Sequence, residues 1–299
     1  MITVTADFKT QAQQPTKQVR ARIVNGDDTI ADTDDLKWVK LTTTGELLRS
    51  SLRQLEFQCF GTHTLLGNSV WFEYGLVLPD TSVEYINYGT FVVTEVEVDK
   101  ATGVTKAKAY DKMYDALQAY ALDYDEEDFP MTMKELLEDI CTELSWTLGT
   151  SSFPNDDLSI TGELFSNLGL SYRDILDDIA EASGSIIYFD SEDNLIVKAL
   201  GASSVATLDK DNLIKLELET KYGEINSVVL SRMPQEDNIV EQDSTSISES
   251  GLTEIKIVNN LLVDADRETY ITPIFNALFE TELYPYSIQT EGLGYFELG

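Results

Sequence analysis

The side chains that could do chemistry in this sequence are mostly carboxylates. The chain of 299 residues has 53 Asp and Glu against 21 Lys and Arg, which gives a formal net charge of −32. Two carboxylates suffice for glycoside hydrolysis, but among so many some pair always lies at a working separation, so their presence indicates no activity. The acidic run Asp123 to Asp128 lacks the glycine and the closing glutamate of an EF-hand loop. We interpret it as a solvated helix end.

Nucleophilic, zinc and nucleotide chemistry lack the residues they need. His63 is the single histidine and no serine lies in a Gly-x-Ser-x-Gly elbow, so we interpret His63 as a loop residue. Cys59 and Cys141 each lie in an apolar run, which is typical of buried free thiols rather than of a disulfide or zinc ligands. The segment Gly292-Leu-Gly294 is too short for a dinucleotide loop. We predict no catalytic residue, no metal site and no cofactor.

The negative charge and the absence of apolar segments limit the partners. Phosphate backbones and anionic lipid surfaces repel such a chain, so we predict no stable nucleic-acid binding. The N-terminus, Met1-Ile-Thr-Val-Thr-Ala, has neither the basic start nor the apolar stretch of a signal peptide. No window approaches the roughly 18 apolar residues of a membrane span. We expect synthesis and folding in a cytoplasm.

The elements that position these residues begin with β-structure. Six short β-rich runs predict a small barrel or sandwich, at residues 2–8, 19–24, 55–60, 70–78, 91–98 and 104–110. In the last hairpin we expect Glu97 to face Lys106 and Glu95 to face Lys108, with Val96 and Ala107 on the other side. Each charged pair contributes about 0.2–1 kcal/mol. Together they reject a one-residue slip that would turn the valines outward.

Helical patterns follow the sheet. At Asp111 the apolar period changes from two to 3.6, which predicts a helix capped by Asp111 over about 112–121. Thr132-Met-Lys-Glu135 is a capping box that opens a second helix with one apolar stripe. A third helix runs from a Ser171 cap to Gly184. A hairpin of residues 185–190 and 195–200 completes an α+β unit.

After residue 201 the chain returns to strand-like runs, at 213–218 and 226–232, so the α+β unit resembles an insertion. Residues 234–251 are polar and serine-rich, which predicts a loop or linker. Thr272-Pro273, with proline at the first helical position, predicts the start of a short helix. Residues 294–299 read as an unfinished strand, so we expect the natural protein to continue beyond Gly299.

Three strings in one order carry a resemblance to a known family. They are the segments Asn87 to Met113, Met131 to Cys141 with Phe153-Pro-Asn155, and Ser171 to Gly184. This region of about residues 85–200 resembles the hub proteins of phage tail tips, a family that includes the N-terminal region of tail-associated lysins and prophage tail endopeptidases. Residues 1–84 and 234–290 carry no matching string.

The resemblance implies a β-rich α+β fold with two small β-barrel domains, the second incomplete, and inserted α+β domains. Residues 1–111 would be the first barrel and 112–200 the inserted domain. Residues 201–233 and 291–299 would belong to the second barrel, and 234–290 to a second insertion. It implies a non-enzymatic virion tail-tip protein: a homotrimeric ring that closes the tail tube, contacts a distal tail or tube protein and a central fibre or spike, and lets DNA pass.

Two other functions stay open from the residues. The chain could be the N-terminal part of a cell-wall-degrading enzyme or endopeptidase, with the activity beyond residue 299. It could also be a host-glycan-binding module, because Trp71, Phe72 and Tyr74, and again Tyr284-Pro-Tyr286, could stack on sugars. In alternating segments such aromatics more often form core and cross-strand pairs, which is the interpretation we favour.

Overall fold

A computed structural model describes residues 3–14, 16–26, 28–119, 122, 124, 128–160, 169–200, 213–218, 225–231, 238–259, 261–262, 267–279 and 286–290. A first sheet contains seven antiparallel strands: β1 Val19–Asn25, β2 Asp28–Ala31, β3 Leu36–Thr44, β4 Leu52–Phe60, β5 Ser69–Val77, β6 Val83–Asp99 and β7 Val104–Tyr110. Their spatial order is β2-β1-β5-β6-β7-β4-β3. Five of the six predicted strands are therefore confirmed.

The seven-stranded sheet is curled but open. Its edge strands, β2 and β3, follow each other in the chain with only residues 32–35 between them, so the end of β2 and the start of β3 must lie close together. The linking loop bonds to both sides: Thr33 Oγ1 accepts from the Ala21 amide at 2.8 Å, and the Phe60 amide donates to the Asp35 carbonyl at 2.9 Å. No ladder joins β2 to β3 among the described residues, so the predicted closed barrel is wrong here.

Alternation along the strands creates the core inside this curled sheet. In β4, Leu55, Phe57 and Cys59 point inward and are fully buried. The predicted strand at residues 2–8 is wrong, because helix α1, Ala6–Ala12, occupies this segment with Thr5 as its N-cap. Phe8 of α1 packs in a separate small core with Leu76 of β5.

The hairpin of β6 and β7 has the predicted register. Val98 pairs with Thr105, Glu97 with Lys106 and Glu95 with Lys108. A shift between Val93 and Glu95 interrupts the ladder beyond these pairs. The cross-strand charges and the valine alternation therefore specified this register correctly.

The α+β unit begins with a 3-10 helix, Lys112–Leu117. Asp111 caps it, with its carboxylate accepting from the Met113 amide, so the predicted cap is confirmed. The helix is shorter and tighter than the predicted α-helix. Tyr120 and Ala121, the last residues of that prediction, lie outside the described residues.

Two capped helices form the centre of the α+β unit, which contains β8 Met131–Thr132, α2 Met133–Glu143, β9 Thr147–Leu148, β10 Ser159–Ile160, α3 Tyr172–Ala182, β11 Ser185–Phe189 and β12 Asn194–Ala199. Thr132 and Glu135 form a reciprocal capping box on α2, and Ser171 and Asp174 form one on α3. Both predicted caps and the predicted hairpin of β11 and β12 are confirmed.

The remaining elements are β13 Leu213–Leu218, β14 Ser227–Leu230, β15 Ile239–Gln242, α4 Ser244–Ser250, β16 Glu254–Ile257, α5 Arg267–Phe279 and β17 Tyr286–Thr290. β13 pairs with β17, and β14 lies between β15 and β16. The predicted linker at 234–251 is wrong in part, since β15 and α4 fall in it. Pro273 lies inside α5 rather than at its start, so that prediction is also wrong.

One apolar core joins the α+β unit to the elements after residue 225. It contains Leu136 and Ile140 of α2, Ile175 of α3, Val228 of β14 and Ile274 of α5. The strands on either side of residue 233 share one sheet, while the proposed domain limits stay a prediction. In the part of the chain that the structure describes, no helix has the length and apolarity needed to cross a membrane.

Candidate functional site

The most constrained polar site is a buried ion pair between the curled sheet and the α+β unit. Arg53 on β4 shares the inward parity of Leu55 and Phe57, and its Nε donates to Asp111 Oδ2 at 2.9 Å. The two side chains are only 9% and 1% exposed. Burial raises the pKa of Asp111, and the neighbouring Arg53 cation opposes that rise.

The rest of the Arg53 guanidinium binds backbone carbonyls from both units. Nη1 donates to the Tyr88 carbonyl of β6 at 2.7 Å, and Nη2 donates to the Asp190 carbonyl of the β11–β12 turn at 3.2 Å. Gly89 makes this approach feasible: its φ is +93°, and an added Cβ would lie 2.9 Å from Asp193 Oδ1 and 3.1 Å from Arg53 Nη2.

Two carboxylates of the α+β unit bind backbone and hydroxyl donors of the sheet unit. Asp193 accepts from the Thr90 amide at 2.8 Å and from its Oγ1 at 2.5 Å. Asp177 on α3 accepts from the Ser50 amide at 2.7 Å and from its Oγ at 2.5 Å. Each aspartate therefore binds one residue of the other unit by two hydrogen bonds. Two bonds fix the relative orientation of the two groups as well as their separation.

Backbone contacts reinforce the same seam. The Ser51 amide donates to the Ile187 carbonyl at 2.7 Å, and the Ile187 amide donates to the Arg49 carbonyl at 3.3 Å. Arg173 of α3 donates to the Ser50 carbonyl at 3.1 Å. The segment before β4 thus adds to the β11 edge as a short parallel bridge.

Glu181 links a third element to the junction. Its side chain lies 3.5 Å from Arg49, and it accepts from Asn259 Nδ2 at 3.1 Å. Asn259 also donates to the Asp178 carbonyl at 2.7 Å. Burial raises the pKa of Glu181, Arg49 and Asn259 oppose that rise, and Asp177 adds to it. We call the set Ser50, Arg53, Gly89, Thr90, Asp111, Asp177, Asp190 and Asp193 the junction.

The polar groups of the junction bind one another across two units. Every carboxylate in it accepts hydrogen bonds, and the one buried cation has three partners. Across the described ranges, no cluster of three or more His, Cys, Asp or Glu could hold a metal ion. The arrangement is that of a structural joint.

The other residues singled out by sequence are not members of the junction. His63 lies in the loop between β4 and β5, where Nε2 is 3.1 Å from the Phe60 carbonyl. Cys59 and Cys141 are buried free thiols, as predicted, and burial raises their pKa values to about 11 and about 12. Phe72 stacks on Tyr88 at 5.4 Å. Gly292, Gly294 and Tyr284, and most of the run 123–128, lie outside the described residues.

The sequence interpretation missed the junction, although one signal was present. Arg53 stands at a position that alternation assigns to the core of β4, and an inward-facing arginine needs a buried partner. Asp177 and Asp193 meet Ser50 and Thr90 across separations of more than 100 residues. No local pattern marks such pairs.

Charge divides unevenly along the chain. Residues 1–111 contain 11 basic and 15 acidic side chains, a net charge of −4, whereas residues 112–299 contain 10 basic and 38 acidic, a net charge of −28. The α+β unit at 112–200 alone has 4 basic and 20 acidic side chains. The excess negative charge therefore belongs to the part of the chain after the first sheet.

Solved structures that share the fold include a tail protein and two prophage tail proteins. The tail protein from Neisseria meningitidis MC58 matches with a TM-score of 0.56 and 14% identity, over 85% of this chain and 74% of that one. The prophage MuSo2 43 kDa tail protein from Shewanella oneidensis matches with a TM-score of 0.51 and 14% identity, over 85% and 76%. The prophage tail protein gp18 from Listeria monocytogenes EGD-e matches with a TM-score of 0.51 and 13% identity, over 85% of this chain and 77% of that one.

No family model and no curated protein matches the sequence. At such low identity the structural likeness shows the fold alone. The chain has the fold of phage tail proteins, as the resemblance of its sequence strings predicted.

Proposed function

We propose that this chain is a structural hub of a phage tail tip, located in the virion, that assembles as a homotrimeric ring and closes the tail tube. The observation that carries the proposal is the fold shared with a tail protein and two prophage tail proteins over 85% of the chain. The junction supports it, because a subunit that transmits force between a tube and a fibre needs its units held in one orientation.

In this proposal the curled sheet faces a tube or distal tail protein. The opposite side of the ring contacts a central fibre or spike. DNA passes through the ring on ejection without being bound. An acidic lumen would favour that passage by repelling phosphates. Since residues 1–111 carry a net charge of only −4, such a lumen needs residues from 112–299. Acidic side chains spread over the outside of an assembled ring would contradict this part.

We also propose that the chain is not an enzyme. In support, the described carboxylates of the junction are bound to backbone and hydroxyl donors rather than left free to act as acid or base. A zymogram on bacterial cell walls tests this directly: we expect no clearing, and clear lysis by the purified chain would contradict it. A glycan array tests the binding alternative, and we expect no specific signal.

The assembly itself is tested with the tail tube protein of the same phage. Tubes polymerised alone and tubes incubated with this chain are compared by negative-stain electron microscopy. We expect a ring of density at one end of the tube with wild-type protein. Bare tube ends at saturating protein, with a correctly folded chain, would count against the hub function.

A further inference from the structure

The longest edge strand of the described sheets is β3, and its outer side has no partner strand there. β3 has nine residues, pairs with β4 on one side and ends the sheet order on the other. Alternate residues of such a strand direct their N–H and C=O groups away from the sheet. An edge of this kind can accept an added strand from another polypeptide.

A row of charges runs across the outer face of the sheet and ends at this edge. Glu95 of β6 lies opposite Lys108 of β7, which lies opposite Glu56 of β4, which lies opposite Lys40 of β3. The sign alternates at each step. Opposite charges on directly facing residues stabilise strand pairing, and like charges oppose it. The next strand beyond β3 would continue the row with an acidic residue.

Lys40 is free to make that contact. It forms no ion pair in the described part of the chain, and its neighbour Glu56 accepts a hydrogen bond from Gln54 instead. β3 carries Lys37 and Lys40 and no acidic residue. Lys37 lies over the ring of the half-exposed Phe60 at 4.9 Å, and Trp38 donates to Gln58 at 2.8 Å. β3 itself therefore carries only positive charges, with an aromatic patch at its start; acidic residues lie just before the strand, and Asp99 is near Lys37.

We propose that the outer edge of β3 is a docking site for an extended segment of a different protein in which acidic and apolar residues alternate. A second copy of β3 fits poorly, because antiparallel pairing about the strand's midpoint would place Lys40 against the same lysine. The chain already contains the complementary pattern internally, where Glu95 and Glu97 of β6 face Lys108 and Lys106 of β7. This proposal concerns an edge of the sheet and stands whether or not the chain forms a ring.

The test uses a cyclised β-hairpin peptide whose free edge reads Thr-Glu-Val-Glu-Val, and a matched hairpin with Lys in place of both Glu. Binding to the full chain is measured by fluorescence anisotropy at low salt. We expect the acidic hairpin to bind, Lys40→Glu to weaken it about tenfold, and the same variant to bind the basic hairpin instead. Lys100→Glu, an exposed lysine of the β6–β7 turn, is the matched control and should leave binding within about twofold.

Amide hydrogen exchange locates the contact. We expect the acidic hairpin to slow exchange in residues 36–44 and to leave α4 and β15 unchanged. Absence of binding, equal binding by Lys40→Glu, or protection elsewhere would overturn the proposal. Protection of residues 36–44 that grows with protein concentration alone would mean that a second copy occupies the edge, and would also overturn it. Circular dichroism establishes that each variant is folded.

Discussion

Carboxylates on the outer face of the curled sheet and carboxylates at the helix starts of the α+β unit have different partners. On the outer face of the sheet, Glu95 and Glu97 face lysines across the strands, so charge is balanced locally. In the α+β unit, Glu135 and Asp174 bind the N–H groups that begin helices, and Asp193 binds an amide of the neighbouring unit. At these three positions backbone donors take the place of cations, so these carboxylates of a strongly acidic unit are bound without a matching cation.

The difference explains where the excess charge can accumulate. The α+β unit has 20 acidic and only 4 basic side chains, yet both of its main helices are capped by reciprocal hydrogen bonds. The sheet unit uses its one buried cation, Arg53, to hold Asp111 and two carbonyls at the seam. The two units meet at the junction. Substitutions there should lower the free energy of unfolding the most.

The largest expected effect comes from Arg53→Met, which leaves Asp111 buried without a cation and two carbonyls without a donor. We expect a loss of about 3–5 kcal/mol in the free energy of unfolding, measured by urea denaturation. Lys134→Met is the control, since it removes a partly exposed i,i+4 pair of the α+β unit and a hydrogen bond to the Ser151 carbonyl, and it should cost about 1 kcal/mol. Equal losses of unfolding free energy in the two variants would contradict the larger contribution of the buried pair.

Gly89→Ala should have the next largest effect. Its positive φ and the close approach of Asp193 and Arg53 both oppose a side chain, so we expect a loss of about 1–3 kcal/mol. Gly103 also has a positive φ, +64°, but an added Cβ there meets nothing within 4 Å. The excess loss in Gly89→Ala over Gly103→Ala, measured by thermal unfolding, therefore reports the contact at the junction. A similar loss at both sites would contradict that contact.

The helix caps of the α+β unit come third. Ser171→Ala removes the hydroxyl that accepts from the Asp174 amide, and we expect a loss of about 1 kcal/mol. Thr142→Ala is the control, because its hydroxyl bonds the Glu138 carbonyl within α2 and caps nothing. The stability of both variants is measured by calorimetry. A larger loss in Thr142→Ala than in Ser171→Ala would contradict the role of the cap.

The smallest effect is a pH dependence of the α2 cap. Hydrogen bonds from the Thr132 amide and hydroxyl lower the pKa of Glu135 below its usual value of 4.5. A lowered folded-state pKa means that the stabilisation is present above the unfolded-state pKa and is lost as pH falls through the folded-state pKa. The difference in Tm between wild type and Glu135→Gln, which cannot titrate, should be constant near pH 7 and should shrink below pH 4.5. A constant difference down to pH 2 would contradict the titration.

Local signals predicted much of the fold. The capping boxes of α2 and α3 and the β6–β7 register depend on residues within a few positions of each other, and all three are confirmed. The helix α5 was predicted but its start at Pro273 was wrong, and the linker prediction for residues 234–251 was wrong in part. Pro273 favours a helix start locally, but packing of Ile271 and Ile274 in the core extends α5 on both sides of it.

Features that depend on distant contacts were not predictable. β3 lacks a clear alternation, since its exposed and half-buried positions do not follow a period of two, and it was missed. The curl of the sheet depends on where residues 32–35 bond, not on the strands' own pattern. At the junction, the inward parity of Arg53 indicated a buried partner, but its contacts at Tyr88 and Asp190 could not be identified from sequence.

The central claim, that the chain assembles as a hub ring, is tested most directly by its mass in solution. Light scattering coupled to size exclusion should give about 100 kDa, three times the chain mass of 33.4 kDa, for the chain alone, or a larger complex that contains three copies of it once a neighbouring tail protein is added. A strict monomer of 33.4 kDa under both conditions would contradict the account.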